Sequence, residues 1–401
     1  MTADGEGVVP AITIAGIALA SALVPLNSTM IAVALPEIAS DFGIPTRQAS
    51  VLVTMYLVAM LVGQPLSGRV CDAFGARRVA LVATTGFGVF SAAAMLAGSF
   101  WVLVALRAVQ AAFASALIPS VQAMLREIVP GPERGRAFGV QGSVIGVGAG
   151  LGPVIGGVAV AAFGWRAIFG VNLPVVLAVL YVLGRRVAMT RPLVAEAGAS
   201  TRSTEPLFNR VFGAAFATQA LSTLAQYGLL LAIPIVLDSR GWSAAGTGLC
   251  LSFLTVGMVV TGPYGGRVGD RLGRRRPVLL GLTIALVAVV GSAVEGDDVA
   301  SAVLVVTLLV FGVGLGVASP SVMTAGIEAA PIARTGSAAG VLSASRYVGS
   351  IVSTLVLASV IADDGGGLTT LLIVSAASLV LALLAARRLP GLVAAPALVD
   401  G

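Results

Sequence analysis

The segment GRVCDAFGARR at residues 68–78 interrupts a long apolar run, and GRVGDRLGRRR interrupts another at residues 266–276. The two segments begin 198 residues apart and agree at seven of eleven positions. In the same way, PGPERGRAFG at 130–139 is echoed by PIARTGSAAG at 331–340. Two echoes at nearly the same offset indicate that the chain is a duplicated unit.

Apolar residues make up 57% of the 401 residues, and charged residues only 10%. Apolar stretches of about 18 residues or more recur along most of the chain, and each can cross a hydrocarbon core of about 30 Å as a helix. The charges fall in short loops between these stretches. The net charge of +6 is therefore a topology signal, and we expect no binding to nucleic acid.

The apolar runs predict an all-α polytopic membrane protein with twelve transmembrane helices. The predicted spans are 12–35, 49–67, 79–98, 101–125, 138–162, 167–184, 209–236, 246–265, 277–294, 300–325, 338–361 and 367–386. The longest polar interruption divides the spans six and six, which predicts a linker between two halves. We therefore expect an N-terminal six-helix bundle over 1–184, a cytoplasmic linker over 185–208, a C-terminal bundle over 209–388 and a cytoplasmic tail over 389–401.

Arginine supplies all 24 basic residues, and most of them lie in loops on one side of the predicted topology. Arginine-rich loops stay in the cytoplasm, so we expect both termini inside and a multi-pass protein of the cell membrane. The residues before the first span include two acids and no base, which argues against a cleaved signal peptide. The two cysteines form no ligand or disulfide pattern and histidine is absent, so we expect no metal and no cofactor.

Each repeated segment closes the second helix of its half with a glycine, an acid, a second glycine and two arginines. The first copy supplies Gly68, Asp72, Gly75, Arg77 and Arg78, and the second supplies Gly266, Asp270, Gly273, Arg275 and Arg276. Two six-helix repeats that carry this segment resemble the major facilitator superfamily of secondary transporters, from about Ala11 to Arg388. The resemblance implies two pseudo-symmetric bundles that rock about a central site.

The acid of each repeated segment has two possible partners. Asp72 and Asp270 can pair with nearby arginines or cap the N-terminus of a neighbouring helix, and the resemblance implies that such contacts hold one state of the transport cycle. Arg346, early in the eleventh span, either closes the same side by contacting the Asp72 loop or snorkels toward the headgroups. The alternative for the loop arginines is that they only set the topology.

The fifth span contains GVGAGLGPVIGG, in which Gly148, Gly152 and Gly156 lie at steps of four residues. Glycines at this spacing let two helix backbones approach closely. With Pro153 and Gly157, the segment is similar to the G-x-x-x-G-P-x-x-G-G signature of the exporter branch of the superfamily. Small-residue packing alone accounts for the glycine row, but it does not predict the Gly-Pro step followed by a glycine pair.

Three further segments resemble the drug-export branch that normally has fourteen helices: LNSTMIAVALP (26–36), GWRAIFGVNLP (164–174) and SASRYVG (343–349). The chain departs from that branch in two ways. Only twelve spans are predicted, and Asn27 stands where the pattern of the first span has an acid.

Arg107 and Gln110 in the fourth span are similar to the R-x-x-Q-G signature of the same branch. At about 1.5 Å per residue, Arg107 lies roughly 9 Å below the outer boundary and Asn27 roughly 12 Å below it, so the two are near one level. A charge at this depth normally faces a cavity and has a partner, but no span carries an acid at its middle. Arg107 is either neutralised by an anionic substrate, held by amides and carbonyls, or purely structural beside Asn27.

The seventh span carries a polar stripe on one helical face, followed by a tyrosine: Gln219, Ser222, Thr223, Gln226 and Tyr227. Such a stripe would be costly against lipid, so we expect it to face the bundle. There it either lines the substrate path or joins helices by hydrogen bonds. Asn172, near the outer end of the sixth span, is a weaker candidate of the same kind.

With the resemblance, these residues predict a secondary transporter that exports small hydrophobic or amphiphilic compounds, as in antibiotic efflux, by proton antiport and alternating access. A uniporter, exchanger or importer without proton coupling is the alternative. We expect no enzyme, because the chain has no histidine, lysine or mid-span acid for a reactive cluster. The expected partners are a small-molecule substrate, the proton and the lipid bilayer, and the expected state is a monomer.

Overall fold

Long helices separated by short links make up the chain in a computed structural model that describes residues 11–185, 206–295, 300–362 and 368–391. The long helices are α1 Ala11–Asp41, α2 Val51–Phe74, α3 Ala76–Met95, α4 Phe100–Ile128, α5 Arg134–Phe163, α6 Asn172–Arg185, α7 Arg210–Ser239, α8 Ala244–Leu272, α9 Arg275–Glu295, α10 Ser301–Glu328, α11 Thr335–Ala362 and α12 Leu368–Ala386. Within the described ranges, twelve helices are long and apolar enough to cross a membrane. The prediction of an all-α polytopic membrane protein with twelve spans is confirmed.

Short helical turns lead into several of the long helices. Two are single α-helical turns, Thr46–Ala49 before α2 and Ala167–Gly170 before α6. Two are 3₁₀ turns, Gly131–Glu133 before α5 and Ile332–Arg334 before α11. The two 3₁₀ turns occupy equivalent places in the two repeats, which agrees with the duplication seen in the sequence.

Several helices continue beyond the predicted spans. α1 reaches Asp41 rather than residue 35, and α2 reaches Phe74 rather than residue 67, because hydropathy marks the apolar part of a helix and not its last hydrogen bond. Most of the repeated segment therefore forms about the last two turns of α2 and of α8, and not a loop. Gly75 alone links α2 to α3 at a φ of 87°, and Gly273 begins the α8–α9 link at a φ of 80°, a region that favours glycine.

α4 is interrupted between its two segments, Phe100–Ala114 and Leu117–Ile128. The interruption lies at Ser115, whose Oγ donates to the carbonyl of Ala112 at 2.7 Å and lies 3.0 Å from the Oγ of Ser67 in α2. A serine hydroxyl that competes for a helix carbonyl weakens the regular ladder. The single predicted span at 101–125 is thus two helical segments.

The chain divides into two compact units. Unit 1 draws its described residues from 1–131, 143–207 and 331–344, and unit 2 from 132–142, 208–330 and 345–401. In unit 1, α4 packs against α1, α2 and α3, and α6 packs against α1 and α3. In unit 2, α10 packs against α7, α8 and α9, and α12 packs against α7 and α9. The helix contacts of one unit therefore repeat those of the other.

The predicted division into bundles at 1–184 and 209–388 stays a prediction. Unit 1 includes the start of α11, and unit 2 includes the start of α5. Most of the predicted linker, residues 186–205, and most of the predicted tail, residues 392–401, lie outside the described residues.

The glycine row of α5 lies against α1 within unit 1. A Cβ on Gly152 would lie 1.8 Å from Oγ1 of Thr29, and a Cβ on Gly156 would lie 3.0 Å from Cα of Met30. A Cβ on Gly148 would lie 2.9 Å from a carbonyl oxygen of α1. The close helix approach that the spacing predicts is present, and it needs glycine at these positions.

The rest of the α5 signature is less tightly placed. Pro153 lies inside the helix, where it leaves one carbonyl of the preceding turn without its usual donor. A Cβ on Gly157 would only touch Val33, at 4.0 Å. Gly157 is therefore not required by packing against α1.

Candidate functional site

A buried polar cluster lies in unit 1 where α1, α3, α4 and α6 meet, and we call Asn27, Ser91, Arg107, Gln110 and Asn172 the Arg107 cluster. Gln110 is at its centre, since its Oε1 accepts from Nη1 of Arg107 at 2.6 Å and from Nδ2 of Asn27 at 3.3 Å. Its Nε2 donates to Oγ of Ser91 at 2.6 Å. Nδ2 of Asn172 donates to Oδ1 of Asn27 at 3.3 Å. All five side chains are fully buried.

The Arg107 cluster joins four residues that the sequence singles out separately: Asn27, Arg107, Gln110 and Asn172. Counting residues from the ends of the predicted apolar spans puts Asn27 and Arg107 near one level, and both side chains donate to Oε1 of Gln110. Ser91 was not predicted, because one serine in an apolar span gives no signal of its own. Whether the cluster contacts a substrate stays a prediction.

Aromatic rings flank the guanidinium of Arg107. Its Cζ lies 4.6 Å from the ring centroid of Tyr56 and 5.9 Å from that of Phe169, distances at which a cation is attracted to an aromatic face. The hydroxyl of Tyr56 donates to the carbonyl of Val24 at 3.0 Å. The rings therefore supply part of the stabilisation that a buried charge requires.

The guanidinium nevertheless keeps unused donors. Nε and Nη2 of Arg107 are buried and have no hydrogen-bond partner, and Oδ1 of Asn172 is in the same condition. Over the residues that the structure describes, no Asp or Glu side chain forms an ion pair with Arg107. Of the partners that the sequence left open, an amide is the one that Arg107 contacts.

Asp72 caps the N-terminus of α11 within unit 1. Its carboxylate accepts from the backbone N of Gly336 at 2.6 Å, from the backbone N of Ser337 at 2.9 Å and from the Ser337 hydroxyl. A Cβ on Gly68 would lie 2.3 Å from the carbonyl oxygen of Gly336, so the two backbones touch. Of the two partners predicted for Asp72, the structure shows the helix N-terminus, where a carboxylate is stabilised by unpaired N–H groups and the helix dipole.

Asp270 caps the N-terminus of α5 within unit 2 in the same way. It accepts from the backbone N of Gly135 and of Arg136, both at 2.8 Å. Asp270 also forms an ion pair with Arg274, which reaches Glu328 at 3.4 Å. Arg274 was not predicted, because the first copy of the segment has alanine at the equivalent position.

None of the arginines predicted to help hold one state of the cycle, Arg77, Arg78 and Arg346, forms an ion pair with Asp72 or Asp270 among the described residues. Arg77 donates Nε to the carbonyl of Leu183 at 3.1 Å and Nη2 to that of Gly184 at 3.4 Å, at the C-terminal end of α6, where a cation is favourable. Arg78 is exposed. In unit 2, Arg346 interacts electrostatically with Tyr227, and its predicted role in closing one side stays a prediction.

The polar stripe of α7 lies in unit 2, and most of its hydrogen bonds are made within α7 itself. Gln219 and Thr223 are buried, with Nε2 of Gln219 donating to Oγ1 of Thr223 at 3.4 Å and that hydroxyl donating to the Gln219 carbonyl at 2.9 Å. Nε2 of Gln226 contacts Sδ of Met258 in α8 at 3.6 Å. Tyr227 is 39% exposed. The buried members of the stripe agree with the prediction that it faces the bundle, and Tyr227 lies close enough to Arg346 for electrostatic interaction.

Two acids at the end of α1 are tied to the α5–α6 link. Oε1 of Glu37 accepts from the backbone N of Trp165 at 3.2 Å. Oδ2 of Asp41 accepts from the indole Nε1 of Trp165 at 2.9 Å and from Nη1 of Arg166 at 3.0 Å. These contacts give both carboxylates a structural role in unit 1.

Comparison with known proteins identifies the family. The Major Facilitator Superfamily matches residues 17–354 and 215–398. The chain is 27% identical over 393 residues to "Multidrug resistance protein Stp" of Mycobacterium tuberculosis, with 84% of this chain and 73% of that protein covered. It is also 27% identical over 406 residues to "Tetracenomycin C resistance and export protein" of Streptomyces glaucescens, with 87% and 76% covered.

Solved structures agree in fold. The crystal structure of the Major Facilitator Superfamily transporter FucP matches with a TM-score of 0.73 at 14% identity, over 92% of this chain and 97% of that one. At this identity the match shows the fold alone. The resemblance stated from the repeated segment is confirmed, and the chain belongs to the Major Facilitator Superfamily of membrane transporters.

Proposed function

We propose that the chain exports small hydrophobic or amphiphilic compounds, including antibiotics, across the cell membrane by alternating access. The Arg107 cluster carries the proposal, because a fully buried charge in a membrane-length helix is retained only at a large cost and normally marks a substrate or ion path. The relatives named for drug resistance and antibiotic export support the direction and the substrate class. The proposal places both termini in the cytoplasm, following the arginine-rich loops, and takes the monomer as the working state.

We further propose that the two acid caps stabilise one state of the cycle. Asp72 belongs to the first repeat and the N–H groups that it accepts from belong to the second, while Asp270 has the reverse arrangement. If the repeats rock against each other, these hydrogen bonds must break and form again. The caps would thus set the free-energy difference between the states.

Proton antiport is the proposed energy source, although position 27 holds an amide. Glu127 in α4 is half-buried and lies close enough to Asp72 for electrostatic interaction. Two neighbouring carboxylates repel each other when both are charged, which makes this pair suited to taking up a proton. Glu37 and Asp41 are less suited, because the Trp165 and Arg166 contacts already occupy them.

Exchange or facilitated diffusion is the second candidate, and Asn27 favours it. Asn27 is bonded as a neutral amide, donating to Gln110 and accepting from Asn172. No proton needs to bind at position 27 for these two amide hydrogen bonds to form. A transporter built in this way could equilibrate its substrate without coupling.

Efflux from proteoliposomes tests the proposal. Lipophilic cations, neutral antibiotics and hydrophobic carboxylates are loaded inside in separate assays, and the efflux of each class is followed with an imposed pH gradient and without it. Concentrative efflux that requires the gradient is expected for the wild-type chain, and Arg107→Ala should abolish it. The matched control is Arg166→Ala, because Arg166, like Arg107, lies over an aromatic ring, here that of Trp165. The Arg166→Ala variant should retain the gradient-dependent efflux. Equilibration that ignores the gradient would exclude antiport and leave the second candidate.

A further inference from the structure

One edge of the Arg107 guanidinium is buried but makes no hydrogen bond, and we call it the open edge. Nη1 is bonded to Gln110, whereas Nε and Nη2 are buried without a hydrogen-bond partner. Nε and Nη2 lie on the same edge of the planar group, with their N–H bonds parallel. A carboxylate can bind this edge through two parallel hydrogen bonds, a bidentate geometry that adds both energy and specificity.

The charge balance at Arg107 also favours a monoanion. Arg107 is 0% exposed, and a buried cation is costly unless an anion compensates it. The residues around it in the Arg107 cluster are neutral: Asn27, Ser91, Gln110 and Asn172. One carboxylate would bring the net charge of the cluster to zero, whereas a dianion would leave an uncompensated negative charge.

The side chains packed beside the guanidinium are mainly aromatic and apolar. The rings of Tyr56 and Phe169 both lie within 6 Å of the guanidinium carbon, and both side chains are buried. The Tyr56 hydroxyl is used by the carbonyl of Val24, so its ring offers a mainly apolar surface. Oδ1 of Asn172 remains as a buried acceptor for one donor.

We propose that Arg107 binds the carboxylate of the transported molecule through Nε and Nη2, and that the substrates are hydrophobic monocarboxylates. This inference rests on the proposed transport function and narrows its substrate class. Asn27 is part of the site, because its amide bonds to Gln110 without competing for the open edge. An aspartate at position 27 would place a resident negative charge in the Arg107 cluster and compensate the guanidinium without a substrate.

Binding of a matched pair of ligands to the purified full chain tests the inference. The probes are 2-naphthoate and its neutral analogue 2-naphthamide, with sodium chloride as a third arm, and the readout is the dissociation constant from thermal-shift titration. For the wild-type chain, 2-naphthoate should bind at least about tenfold more tightly than 2-naphthamide, as expected for two hydrogen bonds to a charged group.

Three variants assign the preference to the open edge. Asn27→Asp should erase the preference for 2-naphthoate. Arg107→Lys should erase it too, because lysine keeps the charge but lacks the two parallel N–H groups of the guanidinium. Arg166→Lys, a change outside the cluster at an arginine paired with Asp41, should leave the preference unchanged. If Arg107→Lys does not fold, Asn27→Asp still decides the question, because it keeps the size and shape of the side chain and removes only the hydrogen bond donated to Gln110.

Equal binding of the acid and the amide would overturn the inference, and so would an undiminished preference in Asn27→Asp. Chloride alone giving the same stabilisation as 2-naphthoate would assign the edge to an inorganic anion and reject the organic substrate class. Failure of the inference is distinct from failure of the proposed function. Efflux of neutral compounds without any 2-naphthoate binding would reject the carboxylate inference and keep the proposed transport function. Binding of 2-naphthoate without any transport would reject the proposed transport function.

Discussion

Arg107 donates from Nη1 to Oε1 of Gln110 at 2.6 Å, one turn further along the same helix. The same Gln110 oxygen accepts from Asn27, and its amide nitrogen donates to Ser91. One glutamine side chain therefore connects α4 to α1 and α3 and is the only hydrogen-bonding partner of the Arg107 guanidinium among the described residues. The stability of unit 1 should depend on it more than on any other member of the Arg107 cluster.

Gln110→Leu should destabilise the protein by about 2–3 kcal/mol, because it leaves a third guanidinium nitrogen of Arg107 buried without an acceptor. Ser91→Ala is the control, since it removes only one neutral partner, and it should cost about 1 kcal/mol. Thermal unfolding of the two purified variants, compared with wild type, measures both effects. A melting temperature for Gln110→Leu at or above that of Ser91→Ala would contradict this account of the cluster.

Gly152→Ala should destabilise unit 1 by about 1–3 kcal/mol through overpacking. The added methyl group would overlap Oγ1 of Thr29, and that hydroxyl is held by the carbonyls of Pro25 and Leu26. Gly142→Ala, in the same helix, is the matched control because its Cβ would meet nothing within 4 Å. Melting temperatures should fall for Gly152→Ala and hold for Gly142→Ala, and an equal change in both would show that the close approach has no energetic weight.

Asp270 and Arg274 should be energetically coupled, with a double-mutant-cycle energy above about 1 kcal/mol. Their side chains are 7% and 10% exposed, so solvent screens the pair only weakly. Asp72 and Arg77 form the comparison cycle, and their coupling should stay below about 0.5 kcal/mol, because Arg77 bonds to carbonyls of α6. The four alanine variants and the two double variants are compared by chemical unfolding. A coupling energy for Asp270 and Arg274 as low as that expected of the comparison pair would mean that Arg274 does not support its acid.

Glu127→Gln should remove the dependence of efflux on the pH gradient while leaving substrate binding intact. The reason is that glutamine keeps the shape of the side chain but cannot take up and release a proton. Asp41→Asn is the control acid in the same unit, and it should keep the gradient dependence because Asp41 serves the contacts of Trp165 and Arg166. Proteoliposome efflux measures both variants. A gradient-dependent Glu127→Gln together with a gradient-independent Asp41→Asn would move the proton site to the other end of unit 1.

The sequence predicts the Arg107 cluster well because α-helices have a fixed rise per residue. Counting from the ends of the predicted apolar spans is enough to put Asn27 and Arg107 near one depth, and their partner Gln110 lies in the same motif as Arg107. The aromatic lining was not predicted, because Tyr56 and Phe169 sit in apolar spans where nothing distinguishes a ring that faces a cation from a ring that faces lipid.

Comparing the two repeats finds only what both copies share. Asp72 and Asp270 are found because both repeats carry them, whereas Arg274 is missed because Ala76 takes its place in the first repeat. Most C-terminal helix ends were also predicted too early, since hydropathy falls before the hydrogen-bond ladder ends. The polar last turn of α2, which holds Asp72, therefore looked like a loop.

Unit 1 combines segments that are far apart in the sequence, residues 1–131 and 331–344, and this affects how the protein folds during synthesis. Its N-terminal part is synthesised first, but the backbone N–H groups that Asp72 requires, on Gly336 and Ser337, emerge from the ribosome about 260 residues later. Until then, the carboxylate of Asp72 and the surface beside Gly68 lack their final contacts. An N-terminal half expressed alone would leave this edge of unit 1 incomplete, and co-expression with the C-terminal half should protect it from proteolysis.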